Sequence, residues 1–373
     1  MVSNFLKKII IILIITITIF LIIDFLSGKK ILNYTFDKKI KNNLENSITL
    51  GTQNRHYHHG IKKNLDTLTQ YNIFQYKVCT NLFGMRSNCK KIYNEKFYDV
   101  MFIGDSFTFG VGLNYEDTFV GLLENSIDKK VGNLGTQSYS PTLYYLKVKK
   151  FIEDGFKFNE LIVFVDISDI EDEVSRREIL QELLNINLKK DVETNSKSKK
   201  QSLNINDQNQ NIKKFTEKIF PLSYRLLFEI KYFDLPQPKY RYLYSYQRSA
   251  WTYNPRLKEY DVELGISQSI QSMNLLYKFL KENNIKLSLA IYPYPNTLLY
   301  DKKDSYQVKI WKNFCEEKCL KFYNFFDQFY ENKEKLTRKE SLKLIKKYYL
   351  KGDMHFNKLG NLLIYKKLIN NFK

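Results

Sequence analysis

The sequence predicts an α/β domain, a parallel sheet wrapped by helices, carried behind one N-terminal membrane span. Three observations lead there. From Tyr98 onward, short strand-like apolar runs alternate with longer helical patterns, the signature of strand–helix–strand units in a parallel sheet. Ahead of them stands a long apolar run that starts at Ile9. The composition, 43% hydrophobic and 27% charged with 14 Gly and 7 Pro in 373 residues, is globular and excludes collagenous, disordered and disulfide-dense miniprotein classes. At roughly 150 residues per domain, this length corresponds to one large or two small domains.

The first element is the span. Ile9 to Ile23 is Ile, Leu and Phe broken only by Thr16 and Thr18; Asp24 interrupts, and Phe25 and Leu26 extend the stretch to 18 residues. That is the short end of what crosses a hydrocarbon core of about 30 Å. No small-x-small cleavage site follows near Ser27-Gly28, so an uncleaved anchor over residues 9–27 is expected rather than a signal peptide. Lys7 and Lys8 favour a cytoplasmic segment 1–8, opposed by Lys29 and Lys30 just past the span. The rest of the chain is then extracytoplasmic, as for a single-pass protein of a bacterial inner membrane facing the periplasm.

Residues 28–94 read as a polar extracytoplasmic stem containing His56, His58 and His59 in Asn54-Arg-His-Tyr-His-His-Gly60. Residues 95–373 read as the α/β domain. Its five expected strands are 99–103, 131–134, 161–165, 287–292 and 322–325, with crossover helices over 140–155, 267–284 and 305–320. Residues 185–214, low in aromatics and rich in Asn, Lys, Gln, Asp and Ser, are expected as a flexible insertion, a lid or a solvated loop. Between Tyr240 and Tyr253, aromatics interleave with Arg, a composition that suits ring stacking on sugars or bases as well as core packing.

Two compositional features carry less. Lys+Arg 59 against Asp+Glu 40, net +19, attracts acidic glycans, anionic lipids or nucleic acid, yet the excess of Lys with Ile, Asn and Tyr equally matches biased codon usage over solvated faces. The cysteines, Cys79, Cys89, Cys315 and Cys319, have three connectivities and fit local disulfides or buried thiols. Their spacing does not match the paired short loops of structural zinc.

The chemistry is concentrated at two places. Gly104-Asp105-Ser106 follows the first expected strand, so Ser106 sits at the carboxyl end of a parallel strand, where ligand sites of open α/β sheets gather. Its hydroxyl can serve as a nucleophile and its N–H can face an oxyanion. A turn with a helix cap is the competing reading for Gly-Asp-Ser alone. Near the C-terminus, Asp353 and His355 stand two residues apart before an amphipathic closing helix, and His355 is the only histidine of the α/β region. A neutral imidazole as base, with a carboxylate fixing its tautomer, completes a Ser106, His355, Asp353 triad.

With those residues in place, the sequence resembles the SGNH/GDSL hydrolase family over residues 97–373. Gly104-Asp105-Ser106 with Gly110 resembles its first block, Asn133-Leu-Gly135-Thr-Gln-Ser138 its second, Asp166-Ile-Ser168-Asp169-Ile-Glu-Asp172 its third and Gly352-Asp353-Met-His355 its last. The resemblance implies a three-layer αβα sandwich with a flavodoxin-like, parallel, five-stranded sheet. It implies catalysis by Ser106, Asp353 and His355, an oxyanion hole from Ser106, Ser138 and Ser168, and support from Gly104, Asp105, Gly135 and Asp169.

Two positions depart from the family pattern. Ser138 stands where a glycine N–H usually serves the oxyanion, and Ser168 where an Asn side chain does. Loss of one such donor costs about 3 kcal/mol, roughly a hundredfold in rate, which the Ser168 hydroxyl would partly replace. The Asp-x-His spacing resembles membrane-associated relatives that acetylate bacterial exopolysaccharides or cell walls. The expected function is therefore a membrane-anchored serine esterase or O-acyl (acetyl) transferase acting on an extracytoplasmic glycan. A non-catalytic glycan-binding or assembly protein on the same scaffold is the alternative. The expected partners are an acylated glycan, the membrane and, as a candidate, a membrane acyltransferase, with no nucleic acid. The segment from His56 to Arg86 is similar to the region upstream of Gly-Asp-Ser in surface-polysaccharide SGNH proteins. For the three histidines a metal site, a positioning role near the acyl pocket and an exposed loop all stand open, although a metal would need a further ligand. No cofactor and no metal are expected.

Overall fold

The computed structural model describes residues 2–44, 50–189, 219–220, 223, 248–254 and 260–372, without the side chains of 2–5, 28–44 and 186–189. The chain forms two compact units, one of residues 1–47 and 194–235, the other of residues 48–193 and 236–373. The expected insertion falls outside the described residues from 190 onward, and residues 185–189 close the helix Arg177–Lys189.

In the first unit, the helix Val2–Leu44 runs through Asp24 without a break. Its segment Leu6–Ser27 is long and apolar enough to cross a membrane, and its Ile, Leu and Phe side chains are exposed. Thr16 and Thr18 donate their hydroxyls to the carbonyls of Ile12 and Ile14, each at 2.8 Å. Both polar groups of the apolar run are thereby satisfied within the helix, as a hydrocarbon environment requires.

Among the described residues, the second unit holds ten strands. β1 (Gly51–Asn54) and β2 (His58–Ile61) form a separate hairpin. β3 (Asp66–Tyr71), β4 (Phe74–Thr80), β5 (Arg86–Ser87), β6 (Phe97–Ile103), β7 (Val131–Asn133), β8 (Lys157–Val165), β9 (Lys286–Ile291) and β10 (Lys321–Asn324) join one eight-stranded sheet in the order β10-β9-β8-β6-β7-β5-β4-β3. The five expected strands are all present, as β6 to β10, and all pair in parallel. Numbered among themselves their order is 2-1-3-4-5, the flavodoxin-like arrangement, whose switch point lies between β6 and β8. Their central residues, Met101 to Ile103, Leu161 to Val165 and Leu289 to Ile291, are buried and therefore read as continuous apolar runs.

The expectation of five strands is corrected to eight. Three more, all from the expected stem, continue the sheet antiparallel beyond β7, with Arg86 paired to Asn133. They escaped the pattern because only one face is buried: in β4, Tyr76 and Val78 point inward while Gln75 and Lys77 face solvent. β5 has only two residues.

The helices Pro141–Glu153 and Val262–Glu282 pack together, as do Phe119–Glu124 and Lys358–Ile369. Right-handed crossovers place these pairs on opposite faces of the sheet, making three layers. The helix expected over 267–284 begins earlier because Asp261 caps it through the Leu264 N–H at 3.0 Å. The helix expected over 305–320 is the shorter Tyr306–Cys315. Cys315 pairs with Cys319 just beyond it, and Cys79 of β4 pairs with Cys89, so of the three connectivities the local one is formed.

Arg86 is buried and charged. It donates to the carbonyls of Phe109 and Leu113, and to that of Gly110 at 2.7 Å, and lies over the Phe109 and Tyr76 rings. It thus anchors the loop that follows the Ser106 turn to the added antiparallel strands.

Candidate active site

β6 delivers Ser106 through Gly104 and Asp105. The Asp105 side chain caps the one-turn helix Ser106–Phe109 by accepting from the Phe107 N–H at 2.9 Å, and Gly110, at φ 78°, ends it. Gly104 is needed where it stands, because a Cβ there would lie 2.2 Å from Thr108 Oγ1 and 2.9 Å from the Phe164 carbonyl of β8. The helix start leaves the Ser106 N–H outside the intrahelical ladder, and it has no partner among the described residues.

Asp353 and His355 lie in the loop between the helices Arg338–Tyr348 and Lys358–Ile369. The loop closes on itself through Leu350 N–H to His355 carbonyl, 2.8 Å, and Asp353 N–H to Leu350 carbonyl, 3.0 Å, with Gly352 at φ 74°. His355 Nε2 is 2.8 Å from Ser106 Oγ and Nδ1 is 2.5 Å from Asp353 Oδ1. A carboxylate only accepts, so Nδ1 carries the proton and Nε2 accepts from the serine hydroxyl. Asp353 is fully buried and His355 nearly so.

Two residues at the β3–β4 connection, Tyr71 at the end of β3 and Asn72 in the turn, complete this line, neither anticipated from sequence. Asn72 Nδ2 donates to Asp353 Oδ2 at 2.8 Å, leaving Oδ1 to the histidine. Tyr71 sets its ring edge-on to His355 at 5.2 Å, with its hydroxyl 3.3 Å from Nδ1. Phe107 covers the imidazole from the nucleophile side, 4.8 Å between centroids.

Beneath Ser106 lies a buried cluster of acids and tyrosines at the ends of β8 and β9. Asp166 accepts from the Ser168 N–H at 2.7 Å, from Tyr292 at 2.8 Å and from Tyr294 at 2.6 Å. Tyr292 also reaches Asp105 at 3.2 Å. Burial, then the neighbouring Asp166, pushes the Asp105 carboxyl well above its usual range, which disfavours a second anion beside Ser106 Oγ, 3.2 Å away. The expected supporting Asp169 is fully buried behind this cluster, where it accepts from the Asp166 N–H and from Tyr144. Burial, then Asp166 and Asp105, raises its pKa as well. The signal for Tyr292 and Tyr294 was present in the sequence: both follow β9 directly, at the carboxyl edge of the sheet.

A cavity of about 420 Å³ opens over these groups, lined among others by Ser106, Ser138, Ser168, Tyr294, Arg248 and His355. The three expected oxyanion residues therefore line the same cavity as the imidazole. Of Ser168, the N–H is taken by Asp166 and the hydroxyl lies 3.3 Å from Tyr294, so only the hydroxyl is in a position to donate. Ser138 adopts φ 58°, and its N–H has no partner among the described residues. Gly135 has a packing role, since a Cβ would lie 2.5 Å from the Phe109 N.

Of the aromatic stretch between Tyr240 and Tyr253, residues 240–247 lie outside the described residues. Trp251 is buried and donates to the Ile167 carbonyl at 2.9 Å, which makes it core rather than a stacking platform. Arg248 pairs with Glu171 and Asp172 at the cavity rim. His59 sits against the second block, with Nε2 2.8 Å from the Gln137 carbonyl, and His58 Nδ1 lies 2.7 Å from His59 Nδ1, while Arg55 donates to His56 at 3.1 Å. No grouping of His, Cys, Asp and Glu suited to a metal occurs among the described residues.

No family model matches the chain and no curated protein does. Solved structures similar to it include a putative lipolytic protein of the G-D-S-L family from Desulfitobacterium hafniense, with 14% identity, TM-score 0.37, and coverage of 74% of this chain and 99% of that one. A psychrotrophic esterase, EstA, from Pseudoalteromonas sp. has 11% identity and TM-score 0.37, covering 74% and 96%. A catalytic mutant of Axe2, an acetylxylan esterase from Geobacillus stearothermophilus, has 9% identity and TM-score 0.37, covering 74% and 94%.

Proposed function

We propose that the chain is a membrane-anchored serine enzyme of the SGNH/GDSL type that cleaves or transfers O-acyl groups, acetyl foremost, on an extracytoplasmic glycan. The observation that carries this reading is the unbroken line Ser106 Oγ, His355, Asp353, at 2.8 and 2.5 Å, beside the cavity at the sheet's switch point. Ser106 attacks the ester carbonyl as His355 Nε2 takes its proton, and Asp353 stabilises the imidazolium. The tetrahedral oxyanion is met by the N–H groups of Ser106 and Ser138 and by the Ser168 hydroxyl. His355 then protonates the leaving alkoxide, freeing the alcohol and leaving an acyl-serine. Water resolves it in an esterase, and a sugar hydroxyl in a transferase. The apolar N-terminal helix supports anchoring, and the Asp-x-His spacing supports a glycan substrate with a membrane acyltransferase as donor partner.

The test is labelling of the full-length protein in detergent with a fluorophosphonate. Labelling in the wild type that disappears in both Ser106→Ala and His355→Ala is the expected result. A folded wild-type protein that resists the probe would overturn the catalytic reading in favour of a glycan-binding or assembly role.

A further inference from the structure

The motif Asn54-Arg-His-Tyr-His-His-Gly60 has no part in the triad, yet its last histidine, His59, reaches the segment after β7 that carries Ser138, and His58 bonds to His59. β1 and β2 are joined by Arg55, His56 and Tyr57, with Asn54 opposite His58. The Asn54 side chain accepts from the His56 N–H at 2.8 Å and the Tyr57 N–H at 3.3 Å. His58 closes this loop at φ 66°, in the left-handed region that glycine usually fills in a three-residue hairpin. A residue held in that conformation must be fixed by its surroundings, and here the His59 N–H bonds back across His58 to the Tyr57 carbonyl at 2.8 Å.

Proton inventory orders the pair. The Gln137 carbonyl only accepts, so His59 Nε2 carries the hydrogen. Burial foremost lowers the His59 pKa to about 4, with the charges of His58, Arg176 and Lys147 acting the same way and the Gln137 bond opposing them. The ring is therefore neutral near pH 7, its Nδ1 is bare, and Nδ1 accepts from His58 Nδ1–H at 2.7 Å. The Tyr139 hydroxyl donates to the His59 carbonyl, tying backbone to loop as well as ring to loop.

The same loop is held at three further points. Lys147, fully buried, donates to the Leu134 carbonyl at 2.9 Å and to Thr136 Oγ1 at 2.7 Å. Arg176 donates to the Ser138 carbonyl at 2.5 Å. Each pin takes an acceptor, and the Ser138 N–H is left unpaired at the cavity wall. In a trans peptide the C=O of Gln137 and the N–H of Ser138 point in opposite directions. A donor on the carbonyl side therefore sets where the N–H points.

Building on the esterase reading, we infer that His59 is a positioning residue: by holding the Gln137 carbonyl, it turns the Ser138 N–H toward the oxyanion formed at Ser106. Ser138 holds a left-handed backbone, φ 58°, that glycine adopts without strain, and here the His59 and Arg176 clamps hold a serine in it.

The experiment compares full-length wild type, His59→Ala and His59→Gln by turnover of p-nitrophenyl acetate and by the NMR amide resonance of Ser138. His59→Ala is expected to lower kcat about a hundredfold, the scale of a misplaced catalytic group, with KM nearly unchanged and the Ser138 resonance displaced. His59→Gln, whose side-chain amide can still donate, is expected to recover most of kcat and return the resonance. A His59→Ala protein with wild-type kcat and an unmoved Ser138 resonance overturns the inference, as does His59→Gln that matches His59→Ala in both. The resonance needs no turnover, so an inactive wild type would overturn the esterase reading while Ser138 still decides the clamp.

Discussion

The two halves of the large sheet divide the labour. The parallel half, β6 to β10, carries or adjoins every group that would exchange protons or bonds: Ser106 after β6, Ser168 after β8, and His355 in the loop before the closing helix. The N-terminal half supplies groups that only hold these in place, Asn72 on Asp353, Tyr71 against His355 and Arg86 on the loop after Ser106, and the separate β1–β2 hairpin ahead of it adds His59 behind Ser138. Strand ends at a switch point expose side chains to a crevice, whereas hairpins can be added at an edge to press on them from outside. The difference teaches that a residue's distance in sequence from the reacting groups says little about its influence, but its kind of influence follows its half. Changes in the first half should remove a chemical role and changes in the second should loosen a geometry.

The largest expected effect comes from Asp353→Asn in the parallel half. An amide in place of the carboxylate donates to Nδ1 as readily as it accepts, so the ring proton moves to Nε2 and the Ser106 hydroxyl loses its acceptor. On the precedent of triad hydrolases, kcat falls by about ten-thousandfold, read in steady-state kinetics. A loss of less than tenfold would place Asp353 with the positioning groups and dissolve the division.

A smaller effect belongs to His59 and is seen in acid. Its folded pKa of about 4 lies below the ordinary histidine value near 6.5. Between those values the unfolded chain takes up a proton that the folded ring refuses. Stability is therefore unaffected above pH 6.5 and is lost as pH falls through 6.5 toward 4, by up to about 3 kcal/mol before screening at the ring's exposed edge. His58, Arg176, Lys147 and the Gln137 carbonyl face the ring, and the comparison must hold them fixed. Urea unfolding of wild type and His59→Gln at pH 7 and pH 4.5 does so: the wild type should lose more stability than the variant. Parallel losses would mean that the imidazole is not held neutral.

The same division explains what the sequence made legible. β6, β8 and β9 are buried on both faces, so each is an apolar run, and the blocks at Gly104-Asp-Ser106 and Gly352-Asp-Met-His355 are contiguous and chemically unusual. β3 to β5 bury one face over a few residues and look like polar stem. Nothing local marks Asn72 as a partner of Asp353, 281 positions away, or His59 as a partner of Gln137, 78 positions away. The histidines stood out as a cluster, and their role was illegible because it depends on which carbonyl the hairpin meets. Ser138 looked like a defect in the second block for the related reason that its left-handed backbone is sustained by residues elsewhere in the chain.

The most discriminating comparison is therefore the smallest, on Asn72. This residue sits at φ 55° in the β3–β4 turn, so Asn72→Gly keeps a conformation that glycine adopts freely and removes only the amide on Asp353 Oδ2. Oδ1 still faces His355, and the imidazole keeps its tautomer. The carboxylate loses one of its fixed hydrogen bonds, a cost of about 1.5–3 kcal/mol for a bond to a charged group. If part of that cost appears as orientational freedom of Asp353, kcat should fall about tenfold while KM stays within about twofold, three orders of magnitude short of Asp353→Asn. Asn72→Asp should be worse than Asn72→Gly, because it sets a second carboxylate against the first. A kcat unchanged in Asn72→Gly, with a lowered unfolding midpoint, would assign the amide to stability alone, and the antiparallel half would then hold the sheet together without aiming the triad.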